Sequence, residues 1–347
     1  MITTIPIQKA LSLPKAIFID TRTPAEFEED HLPEAVNIPL LSNEERAVVG
    51  TLYKQVSQEK AIEKGREFFA AKLPEFMASV KKYKNCPVVV YCWRGGMRSK
   101  TVASLLDSLG YNVFQLVGGY KEYRCYVRET LDAFTLKPRL VVLWGLTCSG
   151  KTALLQKFPN ALDLEGLAQH RGSLYGSIGL RPRSQKQFEN LLLQRLNTLN
   201  PKSYVFVEGE SRKIGNIQIP LFLYTAMRNG VHVLVQRSME RRAEEAVKEY
   251  FKSTENVQTI ITITKSLQKV ISFKKKQQTV SLLEQGNYVE AMKLLLEFYY
   301  DPLYAHTLTK MQYAFEINND EVHKAVRELQ EKISHLPEIA ASSRRMY

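Results

Sequence analysis

The sequence predicts an α/β protein, with two parallel-sheet domains in series and a helical C-terminal region, and three observations carry that expectation. Apolar strand-like runs alternate with helix-like stretches through the first two thirds of the chain, the pattern of a parallel sheet with helices on both faces. Two of those runs, VVVYC (residues 88–92) and LVVLW (140–144), lead into glycine-containing loops suited to binding anions. From about Met239 onward the pattern turns helical and highly charged.

The elements follow in chain order. AIFID (16–20) is a short β-rich run. In TRTPAEFEEDHLPEAVNIPL (21–40), prolines and acidic residues then break the periodicity into loop and short helix. After the strand at 88–92 a helix is expected over 99–109, stopped by Gly110, and VFQLVGG (113–119) supplies the next strand. A polar stretch ending in Lys137 and Pro138 reads as a linker over residues 129–138. It separates a first domain, 1–128, from a second, 139–238, with strands at 140–144, 204–207 and 231–236. Residues 239–347 are expected to be helical and carry KKK at 274–276 and the aromatic run LLEFYYDPLY at 295–304. There is no internal repeat and no low-complexity segment.

A chain of 347 residues is long enough for two or three domains, each burying its own core. No run of about 18 or more apolar residues is present, so no membrane span is expected. Residues 1–20 lack the charged start, apolar middle and small-residue cleavage site of a secretory signal, and a cytoplasmic location is expected. Four cysteines (Cys86, Cys92, Cys125, Cys148) at irregular spacings suit neither a disulfide framework nor a zinc site. The net charge of +12 points to a polyanionic partner, because clustered Lys and Arg gain affinity by releasing counterions from phosphates.

In CWRGGMRS (92–99), Cys92 follows a strand and is trailed by two glycines, Arg94 and Arg98. Glycines let backbone N–H groups turn inward, and converging amides with arginines stabilise a thiolate, the form a nucleophilic sulfur needs. GLTCSGKT (145–152) fits G-x-x-x-x-G-K-[ST] between an apolar strand and a helix-like stretch, the setting that this phosphate loop demands. Gly145, Ser149 and Gly150 would shape the cradle, Lys151 would reach the terminal phosphate of a di- or triphosphate, and Thr152 would ligate Mg²⁺. Cys148 sits inside this loop without a catalytic role. YVFVEGESRKIG (204–215) places an acidic strand end opposite the loop, with Glu208 the first and Glu210 the second candidate to hold a metal-bound water or a proton. Glu165, His170 and Arg171 cluster in LDLEGLAQHRGSLYGSIG (162–179), where His170 is a weaker catalytic candidate.

Residues 18–40, FIDTRTPAEFEEDHLPEAVNIPL, resemble the opening motif of rhodanese domains, with Asp20, Arg22, Glu26, Phe27, His31, Pro33, Asn37 and Pro39 in place, and YCWRGGMRS resembles the rhodanese active loop. Sulfur-transferring rhodaneses have Cys-x4-Arg, whereas Cys92 to Arg98 is Cys-x5-Arg, the length used by cysteine phosphatases and one that implies a wider anion pocket. The ordered set of CWRGGMRS, GLTCSGKT, DLEGLAQHRGS, VEGESRKIG and LLEFYYDPLY resembles the bacterial tRNA 2-selenouridine synthase family over nearly the whole chain.

That resemblance implies replacement of sulfur by selenium in a wobble 5-substituted 2-thiouridine, with selenophosphate and geranyl diphosphate as substrates and an S-geranyl intermediate. It implies Cys92 as the carrier of selenium, no tightly bound cofactor, Mg²⁺ as a candidate ion at Thr152, and the anticodon arms of lysine, glutamate and glutamine tRNAs as partners. Selenophosphate synthetase is a candidate partner. Arg171, Arg181, Arg183 and the 265–276 region, with Lys274, Lys275 and Lys276, are the candidate tRNA contacts. Two rivals stand beside this reading: a rhodanese- or cysteine-phosphatase-type domain fused to a nucleotide-dependent, kinase-like P-loop domain, and a non-catalytic tRNA-binding protein.

Overall fold

The computed structural model describes residues 2–268 and 270–336. The chain divides into two compact units, Met1–Ala133 and Phe134–Tyr347. The strands of the first are β1 (Thr4–Ile5), β2 (Ile17–Asp20), β3 (Val36–Asn37), β4 (Val88–Tyr91) and β5 (Val113–Leu116). They lie in the order β1-β5-β4-β2-β3 with every neighbouring pair parallel. All four residues of β4 are buried, as a strand covered on both faces requires.

Helices α1 (Ile7–Leu11), α2 (Pro24–Glu29), α3 (Asn43–Gln55), α4 (Gln58–Val80), α5 (Met97–Ser108) and α6 (Gly119–Asp132) complete this unit. Helix α2 starts where Thr23 and Glu26 cap each other's backbone amides and Pro24 takes the first turn, which is how the TRTPAE run stops the preceding strand. The core joins Val88 and Val90 to Phe76 and Val80 of α4 and to Val102 and Leu106 of α5.

Helix α6 buries Tyr120, Tyr123, Val127 and Leu131. That stripe runs on through the polar residues after Arg128, so the first four positions read as linker are helix, and the division between units falls at Ala133 and Phe134.

The second unit contains β6 (Leu140–Trp144), β7 (Ala161–Leu162), β8 (Val205–Glu208), β9 (Lys213–Ile214), β10 (Ile217–Gln218), β11 (Val231–Gln236) and β12 (Phe315–Asn318). Five form a parallel sheet in the order β12-β11-β6-β8-β7, which sets the phosphate-loop strand β6 at the centre; β9 and β10 form a separate antiparallel hairpin. Its helices are α7 (Lys151–Leu155), α8 (Leu164–Ala168), α9 (Gln185–Thr198), α10 (Leu221–Arg228), α11 (Met239–Tyr250), α12 (Thr254–Ser266), α13 (Phe273–Glu284), α14 (Tyr288–Leu295), α15 (Asp301–Leu308) and α16 (Val322–Ser334).

Helices α11 to α15 take up most of the described residues between 239 and 308, as expected, with a π-helical turn over Leu296–Tyr300. The chain then returns to the sheet: β12 pairs in parallel with β11, and α16 buries Ala325 and Leu329 in the core that holds Val141, Val233 and Ile317. The C-terminal region is helical as expected, with one strand added to the sheet. The remainder of that region, beyond Leu336, lies outside the described residues. No described helix is long and apolar enough to cross a membrane.

Candidate functional sites at two anion loops

Cys92 is the residue after β4 and is buried, 3% exposed. The loop that it opens is sewn from behind: the Tyr120 N–H donates to Cys92 O at 2.8 Å and the Lys121 N–H to Trp93 O at 2.9 Å. The first turn of α6 can come this close because Gly118 (φ +68°) and Gly119 (φ +60°) adopt left-handed backbone; a Cβ on Gly119 would collide with Cys92 O and Gly95 N. Gln115 Nε2, on β5, donates to Gly95 O at 2.7 Å and to Ser99 Oγ at 3.0 Å. Ser99 Oγ lies 3.3 Å from Cys92 Sγ and 3.1 Å from Gly96 O. With Gln115 filling one of its lone pairs, the Ser99 hydroxyl is left to donate toward the sulfur or toward that carbonyl. Helix α5 begins after Gly96, which offers no side-chain cap, so its first amides face the loop and favour negative charge there.

The two arginines of the loop differ. Arg98 Nη1 donates to Glu26 Oε2 at 3.0 Å, whereas Arg94 is exposed. Burial opposes ionisation of Glu26, but Arg98 and the Thr23 amide outweigh it and hold the carboxyl below its usual range. The opening motif supplies the platform beneath. Arg22, 1% exposed, makes paired hydrogen bonds to Asp20, donates to Asp30 O at 2.7 Å and lies 3.8 Å from the centre of the Tyr120 ring. Tyr120 OH donates to Asp30 at 2.9 Å, Asn37 binds the carbonyls of Asp20 and Arg22, and His31 stacks on Phe27. These residues position the loop. Ser99 and Gln115 were not singled out from sequence; a serine closing the CWRGGMRS motif was the available signal.

The phosphate loop is anchored by residues far away in sequence. Gly145 leaves no room for a Cβ, which would stand 2.5 Å from Val235 O. Gly150 (φ +83°) packs against Asn319, whose Nδ2 donates to Ser149 O at 2.8 Å. Arg242, 3% exposed, donates to Thr147 O at 2.9 Å and is itself held by Asp301 at 2.9 Å through a second nitrogen. Asp301 gives the LLEFYYDPLY run its place in the site. Lys151 Nζ bonds Gly145 O at 3.0 Å, inside the loop's own ring, and Ser149 Oγ is buried without a hydrogen-bond partner. The loop opens on a cavity of about 350 Å³ that also meets Glu165, Glu210, Arg171, Tyr250 and Tyr304.

Glu208 ends β8 beside Leu143 of β6, fully buried; its Oε2 accepts from the Leu164 N–H at 3.1 Å and its Oε1 has no partner. It does not border the cavity. Four carboxylates do, Glu165, Glu210, Glu245 and Glu249, and the first two interact with each other. Burial first, and Glu210 second, push Glu165 up to about 8, and burial raises Glu210 as well, so the pair shares a proton. Thr152 Oγ1 lies 3.5 Å from Glu165 Oε2. Hydroxyl and carboxylate oxygens suit a hard cation, and no described cluster of three or more His, Cys, Asp or Glu would hold one unaided. Thr152 and Glu165 are the oxygens that would hold such a cation here, and two protein oxygens alone would need a ligand to complete its shell.

His170 accepts from the Gly172 N–H at 3.1 Å and packs on Gly176 and Gly215, a local structural role. Burial pushes the Cys148 thiol up to about 12, the reverse of a nucleophile's need.

Of the candidate tRNA contacts, Arg171 pairs with Glu249 and donates to Ile178 O at 3.0 Å, while Arg183 donates to Gly166 O and Leu167 O at 2.9 and 3.0 Å. Lys276 bonds Leu267 O at 3.0 Å and Lys275 lies 4.2 Å from the centre of the Phe298 ring. Arg181 and Lys274 are exposed.

Comparison with known proteins gives two domain matches in this order. A rhodanese-like domain model matches residues 6–124, and a model described as tRNA 2-selenouridine synthase AAA domain matches residues 138–280. A tRNA 2-selenouridine synthase of Pseudomonas syringae pv. tomato is 32% identical over 350 residues, covering 89% of this chain and 95% of that one. Proteins of the same name from Nitrosomonas eutropha and Aeromonas salmonicida are 36% and 38% identical, covering 68% and 67% of this chain and 63% and 64% of theirs. With a relative matched over nearly its whole length and both loops inside the matched domains, the chain belongs to the tRNA 2-selenouridine synthase family.

Proposed function

We propose that this chain converts the wobble 5-substituted 2-thiouridine of tRNA to 2-selenouridine in two half-reactions, one at each loop. In the first, the C2 sulfur bonds to the prenyl carbon of geranyl diphosphate as the carbon–oxygen bond to diphosphate breaks. The N3 proton of the base is released. A thiocarbonyl sulfur leaves poorly, and alkylation turns it into a neutral thiol that can depart. In the second, the selenium of selenophosphate, held at the Cys92 loop, bonds to C2 as the C2–sulfur bond breaks and geranyl thiol leaves with a proton from solvent; water then cleaves the selenium–phosphorus bond and phosphate departs.

The observation that carries the reading is the pairing, in one family member, of a locked, buried cysteine loop with a phosphate loop whose Lys151 and Ser149 face a cavity of about 350 Å³. Lys151 and the loop amides stabilise the departing diphosphate, which needs charge neutralisation and not nucleotide hydrolysis. Mg²⁺, where bound, adds Lewis-acid neutralisation of the same group. The Ser99 hydroxyl and the start of α5 stabilise charge on the Cys92 sulfur. The phosphatase reading is weakened because Glu26, the carboxylate tied to Arg98 of the loop, is ionised and has no proton to donate.

The partners of this reading are the anticodon arms of lysine, glutamate and glutamine tRNAs, with selenophosphate synthetase as a donor partner and the cytoplasm as the setting. Among the basic residues named from sequence, Arg94, Arg181 and Lys274 are exposed and open to phosphates. The test is incubation with thiolated tRNA and geranyl diphosphate, with and without selenophosphate, followed by mass spectrometry of the nucleosides. Geranylated nucleoside without selenophosphate and selenated nucleoside with it are expected. Recovery of 2-thiouridine alone under both conditions overturns the proposal.

A further inference from the structure

The first unit contains a cavity of about 370 Å³ between α3, α4 and the start of α5. Its walls are apolar: Leu40, Leu41, Val49, Ile62, Phe69 and Met97. Met97 and Arg98, which close the cysteine loop, form one side of it, so the cavity adjoins the segment that begins at Cys92. Around it stand Arg46, Lys54, Arg66 and Arg98. Only Arg98 has an ion pair among the described residues; the other three are exposed cations bordering an apolar hole. Tyr53 and Met97, at the same cavity, are 57% and 52% exposed, unusual for large apolar side chains with no partner.

Two helix glycines border the empty space; a Cβ on Gly50 would meet Arg46 Nη1, whereas Gly65 faces open room. Gly50 lies inside α3 and Gly65 inside α4, where glycine is less stable than alanine. Packing does not require Gly65: a Cβ there would find nothing nearer than Val49 Cγ2 at 3.9 Å. Helical backbone does not require it either. A side chain at this position would instead occupy the cavity.

We propose that this cavity binds the alkyl chain of the S-prenylated nucleotide, so that the leaving thiol is held beside the cysteine loop while selenium is delivered. The inference rests on the two-step reading above and deepens it by naming what the first unit recognises. The chemistry is an apolar chain of about ten carbons on a polyanionic polymer. Apolar walls meet the chain and the three unpaired cations meet the phosphates flanking the modified base. Chain length should then matter for the second half-reaction.

The probe is an anticodon stem-loop carrying S-geranyl-2-thiouridine, compared with the same stem-loop carrying 2-thiouridine, each titrated onto the full chain by fluorescence anisotropy. Wild type is expected to bind the geranylated probe at least tenfold more tightly. Gly65→Leu is expected to erase that preference while leaving affinity for the thiouridine probe within about twofold. Gly65→Ala, which has room for its Cβ, is expected to melt at a higher temperature and retain most of the preference, so that lost folding and a filled cavity are told apart. A preference untouched by Gly65→Leu but abolished by Lys151→Ala would overturn the proposal by placing the chain in the second unit. Equal binding of the two probes to wild type would overturn it too. A parallel geranylation assay on wild type separates these failures from failure of the two-step reading, since product there leaves that reading standing.

Discussion

Replacing Gly119 with alanine should uncouple the two half-reactions from a position that touches no substrate. Its backbone sits at φ +60°, where an L side chain costs roughly 1–2 kcal/mol, and the new Cβ collides with Cys92 O and Gly95 N. Both are backbone atoms of the cysteine loop, so the strain is relieved by displacing the loop and breaking the Tyr120 N–H to Cys92 O bond of 2.8 Å. A shift of about 1 Å in a reacting atom lowers rates by roughly 100-fold. Gly118→Ala is the matched control: φ is +68° and the added Cβ also clashes, but with Glu122 Cβ of α6 at 2.6 Å and with no atom of the cysteine loop. Selenation of pre-geranylated tRNA is measured under single turnover, with geranylation of thiolated tRNA as the internal reference. Gly119→Ala should lose selenation by about 100-fold and Gly118→Ala by less than about fivefold, with geranylation intact in both. If the two variants selenate equally well, the register of the loop against α6 does not position Cys92 and the reasoning fails.

Three further outcomes follow from the second unit. Glu165 is protonated in the fold up to about 8 but only to about 4.5 when unfolded, so the folded state holds the extra proton and stability falls as pH rises between those values, by up to about 1.4 kcal/mol per unit. Glu165→Gln should flatten the fall in melting temperature between pH 5 and 8; an unchanged slope would contradict the shared proton. Arg242→Met should weaken diphosphate binding at least tenfold, because Thr147 O loses its donor and Asp301 its partner, and isothermal titration of inorganic diphosphate would show equal affinity if the anchoring were incidental. For tRNA, Lys274→Ala alone should reduce the slope of log affinity against log salt by about 0.7 to 0.9, and the Lys274, Lys275 and Lys276 triple variant by little more. A triple variant losing two to three contacts would show that Lys275 and Lys276 leave their present partners to bind phosphate.

Both loops were legible in sequence because each is a local pattern. A strand, a glycine-bearing turn and a helix start lie within about a dozen residues, and cysteine or lysine occupies a fixed place among them. What holds those loops was not legible, since it comes from afar. Asn319 reaches Ser149 across 170 positions, and the bond from Arg242 to Asp301 joins residues 59 apart. The four-residue strand β12 reads as charged helix flank until its ladder with β11 is seen. The acidic strand end at Glu208 was found, yet the carboxylates bordering the cavity are Glu165, Glu210, Glu245 and Glu249, because the cavity is walled by the loop after that strand and by helices that sequence does not place beside it. The basic candidates were chosen by charge alone, and charge does not reveal that Arg183 and Lys276 spend donors on backbone carbonyls.

Two chemistries at two loops is the central claim, and comparing Cys92→Ser with Lys151→Ala on the same thiolated tRNA tests it most directly. Nucleosides are quantified by mass spectrometry after incubation with geranyl diphosphate, then after addition of selenophosphate. Cys92→Ser should accumulate the S-geranyl nucleoside at near the wild-type rate and form no 2-selenouridine. Lys151→Ala should geranylate about 100-fold more slowly, the cost of losing one stabilising donor of about 3 kcal/mol, yet selenate tRNA that is supplied already geranylated. Full selenation by Cys92→Ser, or normal geranylation by Lys151→Ala together with loss of a nucleotide triphosphatase activity, would contradict the account.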